Sequence, residues 1–368
     1  MSSDPVVELG FLENKTPAWK LRSKFFPSKV GGYPAWLALK DLPNGQQLTC
    51  RNCSKPLAFL CQLYAPYHDK EECFHRTVFV FICRDADCSK ENNASNIRVF
   101  RSQLRRDNEF YPPDPAKDVE PGSESPGAAD FNNLCRVCGG CGPKVCGGCK
   151  VARYCSKDHQ ALDWKAGHRE ECKKPETVSK VSCKGNAKFL FPEYEIDMEP
   201  EELDERREKT EDEVMQEYEA LLRSGRVTRD LDDDVEKNED DLIKMATKET
   251  DKQFQKFRTR IKEYSDQVIR YDRAGEPLWV SSENKPQDIP PCPGCGEARE
   301  FEFQIMPQLL VHLKVDSPGQ SIDWGTVVVY SCKNSCSQDK HYIEEVAYKQ
   351  DYAPISQVMK NHPEVNMY

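Results

Sequence analysis

Residues 135–172 read CRVCGGCGPKVCGGCKVARYCSKDHQALDWKAGHREEC and hold seven cysteines and two histidines in thirty-eight residues. Their order is Cys-x2-Cys, Cys-x2-Cys, Cys-x3-His and His-x3-Cys. A Cys-x2-Cys turn points two thiolates at one position, and structural zinc takes four Cys or His ligands in a closed tetrahedron without a site for water. This stretch therefore predicts two structural zinc ions that stabilise a fold and do not catalyse a reaction.

Eight of the nine residues complete two ligand sets and leave Cys141 as a spare thiol. The spacing leaves their pairing open, because ligand pairs can be shared alternately or sequentially. Alternate sharing gives a cross-braced finger. Its first site is Cys135, Cys138, Cys155 and His159, and its second is Cys146, Cys149, His168 and Cys172.

A short helix is predicted between the two histidines. Ser156 is a favourable N-cap, and Gly167 is a favourable stop, for a helix that runs to about Ala166. Metal would then clamp both ends of this helix. Disulfide bonds are the alternative, but residues 1–10 contain two acids and no apolar run typical of a secretory signal. We therefore expect a reducing compartment and metal ligation.

Two further cysteine patterns flank this cluster, each with four thiols. The first is Cys50, Cys53, Cys83 and Cys88, and the second is Cys292, Cys295, Cys332 and Cys336. Each predicts one more closed zinc site, so that the chain would hold two zinc ions in the finger and two in the flanking regions. Four cysteines stay unassigned: Cys61, Cys73, Cys141 and Cys183. Cys61 lies in an alternating apolar run and is predicted to be a core thiol.

The flanking patterns repeat in the order of their parts. Pro34-Ala35-Trp36 precedes the first pattern and Pro277-Leu278-Trp279 precedes the second. Each pattern contains two apolar strands, of which the second ends at a ligand cysteine. The repeat predicts a duplication, with two zinc-stapled antiparallel β units packed together and each too small to be stable without its metal. Coincidence is the alternative, since tryptophan near a turn is common in protein cores.

Composition marks the segments between these units. Residues 111–130 contain five prolines and two glycines, which predicts an extended linker that tethers the finger without fusing it to its neighbours. Residues 193–241 contain twenty-two acidic and seven basic residues, which predicts disorder because few apolar groups are present to offset chain entropy. The longest apolar runs are strand-sized, so we expect a soluble intracellular protein without a membrane span.

These boundaries give a fold class and a division of the chain. We predict an α+β, mostly β protein with an inserted zinc finger. Its segments are an N-terminal zinc β unit (1–110), a linker (111–133), the finger (134–174), a connector (175–192), an acidic disordered segment (193–250) and a C-terminal zinc β unit (251–368).

Several short stretches resemble the programmed cell death protein 2 family. In the N-terminal region they are VELGF at 7–11, PSKVGG at 27–32, PAWL at 34–37 and RVFR at 98–101. In the C-terminal region they are FEFQ at 301–304, MPQLL at 306–310, IDWG at 322–325 and KQD at 349–351. The resemblance covers both ends and the finger, and it excludes only the acidic segment.

The finger itself resembles the MYND zinc finger, through YCSK at 154–157, HQ at 159–160 and DW at 163–164. This resemblance implies the cross-braced pairing. It also implies a shallow groove beside the helix that takes proline-containing peptides, with Tyr154, Gln160 and Trp164 on its walls. Trp164 could equally be a core residue.

The family resemblance implies a dedicated chaperone for a newly synthesised small-subunit ribosomal protein, protein two in eukaryotes and five in bacteria. Such a chaperone supports small-subunit biogenesis in the cytoplasm and nucleus and is not an enzyme. A basic client calls for anionic charge and strand edges or clefts, so the paired β units are the expected client site. The alternative is a MYND-mediated transcriptional corepressor scaffold. Nucleic-acid binding is not expected at a net charge of -10.

Overall fold

A computed structural model describes residues 6–120, 126–202, 252–315, 321–337 and 340–352. Its strands are β1 (Glu8–Glu13), β2 (Lys29–Val30), β3 (Ala58–Tyr64), β4 (His75–Ile82), β5 (Ile97–Leu104), β6 (Lys144–Val145), β7 (Arg153–Tyr154), β8 (Tyr194–Pro200), β9 (Ile269–Tyr271), β10 (Arg299–Ile305), β11 (Thr326–Cys332) and β12 (Tyr342–Gln350). Its α-helices are α1 (Ala128–Phe131), α2 (Lys157–Asp163), α3 (Arg169–Glu171), α4 (Lys252–Lys262) and α5 (Leu309–His312). None of the helices in the described ranges is long and apolar enough to cross a membrane.

Ten strands close into one antiparallel barrel in the order β1-β8-β2-β3-β4-β5-β12-β11-β10-β9. Strands β2–β5 form the N half and strands β9–β12 form the C half. The halves meet directly where β5 pairs with β12. On the other side, β1 and β8 lie between β2 and β9. Since the ring is closed, no strand of the barrel remains as an open sheet edge.

Residues 78–82 of β4 are apolar on both faces of the sheet because each face is covered. In β4, Val78, Val80 and Ile82 point into the barrel core, where they meet residues of both halves. The alternate residues Phe79 and Phe81 pack outside against a layer formed by residues 36–48. This burial explains the continuous apolar pattern of β4, which differs from the alternation typical of a half-exposed strand.

Matching local features occur in the two halves. Strand β3 has a bulge between Phe59 and Cys61, and β10 has one between Phe301 and Phe303. Three residues after the first bulge position in each half, a glutamine side chain bonds the backbone of the Pro-x-Trp turn. Gln62 accepts from Ala35 N at 2.9 Å and donates to Ala35 O at 3.2 Å. Gln304 does the same with the backbone N and O of Leu278, at 2.6 and 3.0 Å.

The mostly β architecture with several cysteine clusters and an inserted finger is confirmed. The two β units, however, do not pack as separate sheets. They share one sheet, because the strands at the edges of each half find partners in the other half or in β1 and β8. Edge pairing satisfies backbone hydrogen bonds that two separate sheets would leave exposed.

The start of the predicted acidic segment also differs from expectation. Tyr194–Pro200 form β8, although four of these seven residues are charged or proline. Backbone pairing to β1 and β2 holds this strand, and Ile196 contributes to the barrel core. Tertiary pairing has overridden the local composition here. The remainder of the segment, from residue 203, lies outside the described residues.

The finger is docked on the N half and is not merely tethered to it. Trp36 Nε1 donates to Gly139 O at 2.9 Å, and the hydroxyl of Tyr33 donates to Arg136 O at 2.6 Å. The predicted linker also contains structure, because α1 lies within it and Asn132 donates to Leu39 O at 2.6 Å. The linker prediction was therefore wrong for its C-terminal part.

Candidate metal centres

Four groups of cysteine and histidine side chains converge in the structure. In each group the ligand atoms all lie within 4.8 Å of one another. The groups are Cys50, Cys53, Cys83 and Cys88; Cys135, Cys138, Cys155 and His159; Cys146, Cys149, His168 and Cys172; and Cys292, Cys295, Cys332 and Cys336. The structure thus groups the finger residues in the alternate, cross-braced way.

The spacing of the sulfur atoms fits tetrahedral zinc. Zinc lies ~2.3 Å from each thiolate, so two sulfurs on a tetrahedron stand ~3.8 Å apart. Cys53 and Cys83 have their Sγ atoms 3.6 Å apart, and the Cys138–Cys155 and Cys146–Cys172 pairs are 3.8 Å apart. A disulfide requires about 2.0 Å. All eighteen cysteines are free thiols, so the groups are compatible with metal ligation.

Helix α2 carries His159, and a π-helical turn over Trp164–His168 follows it and ends in the second histidine of the finger. The Ser156 hydroxyl caps the helix by accepting from His159 N at 3.1 Å. This places His159 Nδ1 3.2 Å from Cys155 Sγ and 3.5 Å from Cys135 Sγ. A kink at Gly167, which has a φ of 153°, then turns His168 towards the second group. There its Nε2 lies 3.4 Å from Cys146 Sγ.

A buried charge network lies beside the second finger group. Arg136 forms ion pairs with Glu171 at 2.8 Å and with Asp163 at 3.4 Å. Hydrogen bonding to Arg136 holds the pKa of Glu171 below its usual range. Arg136 also lies 3.1 Å from Nδ1 of His168, which connects the network to a candidate ligand. The sequence pattern did not predict this network, although Asp163 and the cysteine-adjacent Arg136 both lie within the finger.

The flanking groups are built on identical knuckles. Cys50 N donates to Lys55 O at 2.9 Å, and Cys292 N donates to Glu297 O at 2.8 Å. Both turns have a positive φ at the residue after the second cysteine, 58° at Ser54 and 75° at Gly296. Burial would raise the pKa of Cys292, but backbone N–H donors of the knuckle outweigh it and lower that pKa to about 7. A thiol so tuned is a better metal ligand.

The four unassigned cysteines stand outside these groups. Cys61 is fully buried in the barrel core, and burial raises its pKa, which fits the predicted core thiol. The thiol of Cys73 donates to Ser335 O at 3.5 Å. Cys183 is buried against the finger, and Cys141 is half-buried between the finger and the barrel.

The predicted peptide groove is only partly supported. Tyr154 is 0% exposed, and its hydroxyl donates to Asp163 at 2.6 Å, so this residue presents no wall to a peptide. Tyr154 fills the core of the finger instead of its surface, because so small a domain has few other large residues to fill its core. Gln160 is half-buried, and Trp164 is 42% exposed. Trp164 is thus a surface residue and not core.

A second groove lies outside the finger, where α4, the C half and the N-half loop after Cys88 meet. It has a volume of about 490 Å³. Four aromatic residues line it, of which Tyr352 is exposed and Phe254 is half-buried, whereas Phe257 and Trp324 are buried. Carboxylates stand at its rim, of which those of Glu91 and Asp323 belong to exposed residues. This groove was not predicted from the sequence, because the residues that line it come from segments far apart in the chain.

Comparison with known proteins agrees with the architecture. The N-terminal domain of programmed cell death protein 2 matches residues 6–118, its C-terminal putative domain matches residues 251–356, and the MYND finger matches residues 135–172. No solved structure matches the chain significantly.

Three relatives span a range of similarity. Programmed cell death protein 2 of Mus musculus is 46% identical over 354 residues, with 94% of this chain and 96% of the relative covered. Programmed cell death protein 2-like of Homo sapiens is 30% identical over 328 residues, with 85% and 86% covered. Probable 20S rRNA accumulation protein 4 of Schizosaccharomyces pombe is 28% identical over 119 residues, or 29% of each chain. The chain therefore belongs to the programmed cell death protein 2 family.

Proposed function

We propose that this chain is a dedicated chaperone for a newly synthesised small-subunit ribosomal protein, protein two in eukaryotes and five in bacteria. It would act in the cytoplasm and nucleus, by binding and not by catalysis. The observation that carries the proposal is the relative named for 20S rRNA accumulation, whose name connects the family to ribosome biogenesis. Holding a basic client in solution requires anionic and apolar surface together.

The aromatic groove between α4 and the C half is the proposed client contact. Its acidic rim attracts lysine and arginine, while its aromatic walls pack against their aliphatic stems and against the cations themselves. Phe254 and Tyr352 stack at 4.3 Å between ring centres and form one side of this groove. Because the barrel has no open strand edge, a groove is a better client site than strand addition.

The client proposal is tested by mass spectrometry of proteins that copurify with the tagged chain from cells, with ribosome-bound nascent chains retained. We expect stoichiometric enrichment of one small-subunit ribosomal protein. The double variant Glu91→Gln/Asp323→Asn should reduce this enrichment several-fold. The double variant Asp69→Asn/Glu72→Gln removes the same charge from exposed sites outside the groove and should retain it. Enrichment of no ribosomal protein would contradict the proposal.

We also propose that each of the four groups holds one zinc ion. Native mass spectrometry should then find four zinc ions per chain. Cys53→Ser should remove one ion, whereas Cys141→Ser, at a thiol outside the groups, should keep all four. Such closed sites would stabilise the fold outright, as zinc does in other small domains.

A corepressor scaffold that acts through the finger is the second candidate. The observation in its favour is the exposure of Trp164, because aromatic anchors dominate peptide interfaces. Trp164→Ala should abolish capture of proline-containing peptides if the finger binds them. Loss of the ribosomal client in the same variant would move the client site into the finger.

The two halves are further proposed to be repeats of one ancestral unit. The equivalent bulges, the equivalent glutamine bonds to Pro-x-Trp and the identical knuckles support this proposal. A common origin would be contradicted if reconstructed ancestral sequences of the two halves did not become more similar to each other at older nodes of the family tree.

A further inference from the structure

The loop that carries the last ligand of the C-terminal metal group is held by the N half of the barrel. Arg101, on β5, donates from Nη1 to Cys336 O at 3.2 Å. Gln103, two residues later, donates from Nε2 to Ser335 O at 3.1 Å. The backbone around the ligand Cys336 is thus fixed by side chains that lie more than 230 residues away in sequence.

The reverse arrangement exists at the N-terminal metal group. Lys349, on β12, donates from Nζ to Lys90 O at 3.0 Å and to Ser89 Oγ at 3.3 Å. Asp351, two residues later, accepts from Asn92 N at 2.6 Å. These contacts hold the loop that follows the ligand Cys88, and their side chains belong to the C half.

The two contacts occupy equivalent positions. Arg101 pairs with Val78 across β4 and β5, and Lys349 pairs with Val327 across β11 and β12. Val78 and Val327 both stand five residues before the first cysteine of the second ligand pair. Each half therefore uses the same strand position to hold the metal loop of the other half.

Both cations are buried, Arg101 at 0% and Lys349 at 2% exposure. A buried cation is costly unless anionic groups compensate it. Arg101 has Glu345 at 2.8 Å, and Lys349 has Asp351 at 3.1 Å. A zinc ion with four thiolates adds a local charge of about -2, because each ligating thiol is deprotonated. Each cation is thus compensated by a carboxylate, and each holds backbone within two residues of a candidate ligand cysteine, in a group that would be anionic with zinc bound.

We infer that each flanking metal site is completed by the opposite half, with Arg101 as a positioning residue for the Cys292 site and Lys349 as a positioning residue for the Cys50 site. A loop already held in its ligating conformation loses less entropy when the ion binds. Groups behind the ligands typically change metal affinity about 10- to 100-fold. Each metal loop is consequently held by the half that does not supply its ligands. This inference rests on the zinc assignment proposed above.

The test is pulsed alkylation of the zinc-loaded full chain, with the labelling rate of each cysteine read by peptide mass spectrometry. Arg101→Met should accelerate labelling of Cys295 and Cys336 about tenfold and leave Cys53 and Cys88 unchanged. Lys349→Met should accelerate labelling of Cys53 and Cys88 about tenfold and leave Cys295 and Cys336 unchanged. Labelling of the finger cysteines in the same molecules serves as an internal measure of global unfolding and should not change in either variant.

Matched controls separate loop contacts from general contacts between the halves. Arg98→Met removes a β5 arginine that pairs with Glu344 of the C half at 2.7 Å and, among the described residues, makes no direct hydrogen bond or ion pair to either metal loop. It should leave all rates unchanged. Arg101→Lys, which keeps the charge, should restore part of the protection at the Cys292 site.

Three results would overturn the inference. They are faster labelling of the cysteines in the half that carries the substitution, equally faster labelling of all four cysteine groups, and no change in any labelling rate. Flanking cysteines that react in the wild-type chain as fast as in chelator-treated protein would instead overturn the metal assignment itself. Neither result would affect the client proposal, which is read from copurification.

Discussion

A single ion pair inside the barrel shows how strongly one residue can depend on another. Arg76 of β4 and Glu302 of β10 are both fully buried and form a two-pronged ion pair, with Nη2 2.8 Å from Oε2. Burial alone would raise the pKa of Glu302, but the charge and hydrogen bonds of Arg76 outweigh it and hold this pKa well below its usual range. The pair joins two strands that are not neighbours in the barrel, so it ties the N half to the C half.

Glu302→Gln is therefore expected to destabilise the protein by about 3–5 kcal/mol, because it leaves the Arg76 guanidinium buried without its counter-ion. Urea unfolding followed by circular dichroism measures this loss. Glu344→Gln, at a partly exposed carboxylate on β12, should cost less than about 1 kcal/mol. The double variant Arg76→Met/Glu302→Leu should recover most of the lost stability, and failure to recover it would show that the ion pair itself is required.

His75 makes the stability of the N half depend on pH. Its ring stacks on Phe26 with centres 4.2 Å apart, and its Nδ1 lies 2.9 Å from the Tyr64 hydroxyl. Burial lowers the pKa of His75 from 6.5 to about 4. The folded state thus favours the neutral ring, and its stabilising contribution is present above pH 6.5 and is lost as pH falls from 6.5 towards 4.

His75→Phe keeps the stacked ring and removes the titration. The stability difference between the wild type and this variant should be constant above pH 7 and should shift in favour of the variant between pH 6.5 and 4.5. Denaturant titrations at a series of pH values provide the comparison, and subtraction cancels the acid release of metal common to both proteins. A pH-independent difference would contradict the assignment.

At the scale of elements, a knuckle glycine fixes how the finger sits on the barrel. Gly139 has a φ of 73°, and a Cβ atom there would lie 2.7 Å from a ring carbon of Tyr33. Its carbonyl also accepts the hydrogen bond of Trp36. Close approach of the finger backbone to the Tyr33 ring therefore requires glycine at this position.

Gly139→Ala should loosen the docked finger while Gly296→Ala should not. Both substitutions put alanine at a positive φ, but Gly296 has no atom within 4 Å of the added methyl group. Gly296→Ala thus controls for backbone strain alone, which is of order 1–2 kcal/mol. Hydrogen exchange at residues 33–36 should become faster in Gly139→Ala, and equal exchange in both variants would argue against steric docking.

At the scale of the whole molecule, the chain concentrates its acidic residues in one segment of the sequence. Residues 203–241 contain sixteen acidic and seven basic residues and follow directly on β8 and Glu201. Glu201 is paired with Arg270 at 2.9 Å and with Arg260 at 2.6 Å, which holds the end of the described residues before this segment against the C half. We propose that the segment assists capture of a basic client by long-range attraction.

Deletion of residues 203–241 should lower the association rate with the basic client and reduce its dependence on salt, with little effect on the dissociation rate, because distant charges act mainly on encounter. Stopped-flow binding at several ionic strengths measures both rates. Replacement of the segment by an uncharged Gly/Ser linker of equal length should reproduce the deletion. An unchanged association rate would remove the segment from the binding mechanism.

Most of the candidate metal ligands could be predicted from the sequence, because each lies only a few residues from another ligand of the same group. A Cys-x2-Cys knuckle brings two ligands together whatever the surrounding fold does, and the Ser156 cap sets His159 one turn into α2. Strand β11 likewise ends at the ligand cysteine Cys332, as its apolar β-branched run predicted. Such features depend on residues a few positions apart.

The closed barrel, the burial of Tyr154 and the crosswise hold on the metal loops were decided only by the tertiary structure. Each depends on pairing between residues far apart in the chain, such as β1 with β8 and β5 with β12. Composition predicted disorder for the residues of β8, which are unfavourable for a strand. They form one because backbone hydrogen bonds to the neighbouring strands β1 and β2 hold them. The sequence by itself determined which atoms can ligate metal. Long-range strand pairing determined which residues surround them. The free energy of that pairing comes from contacts that exist only when both halves are folded.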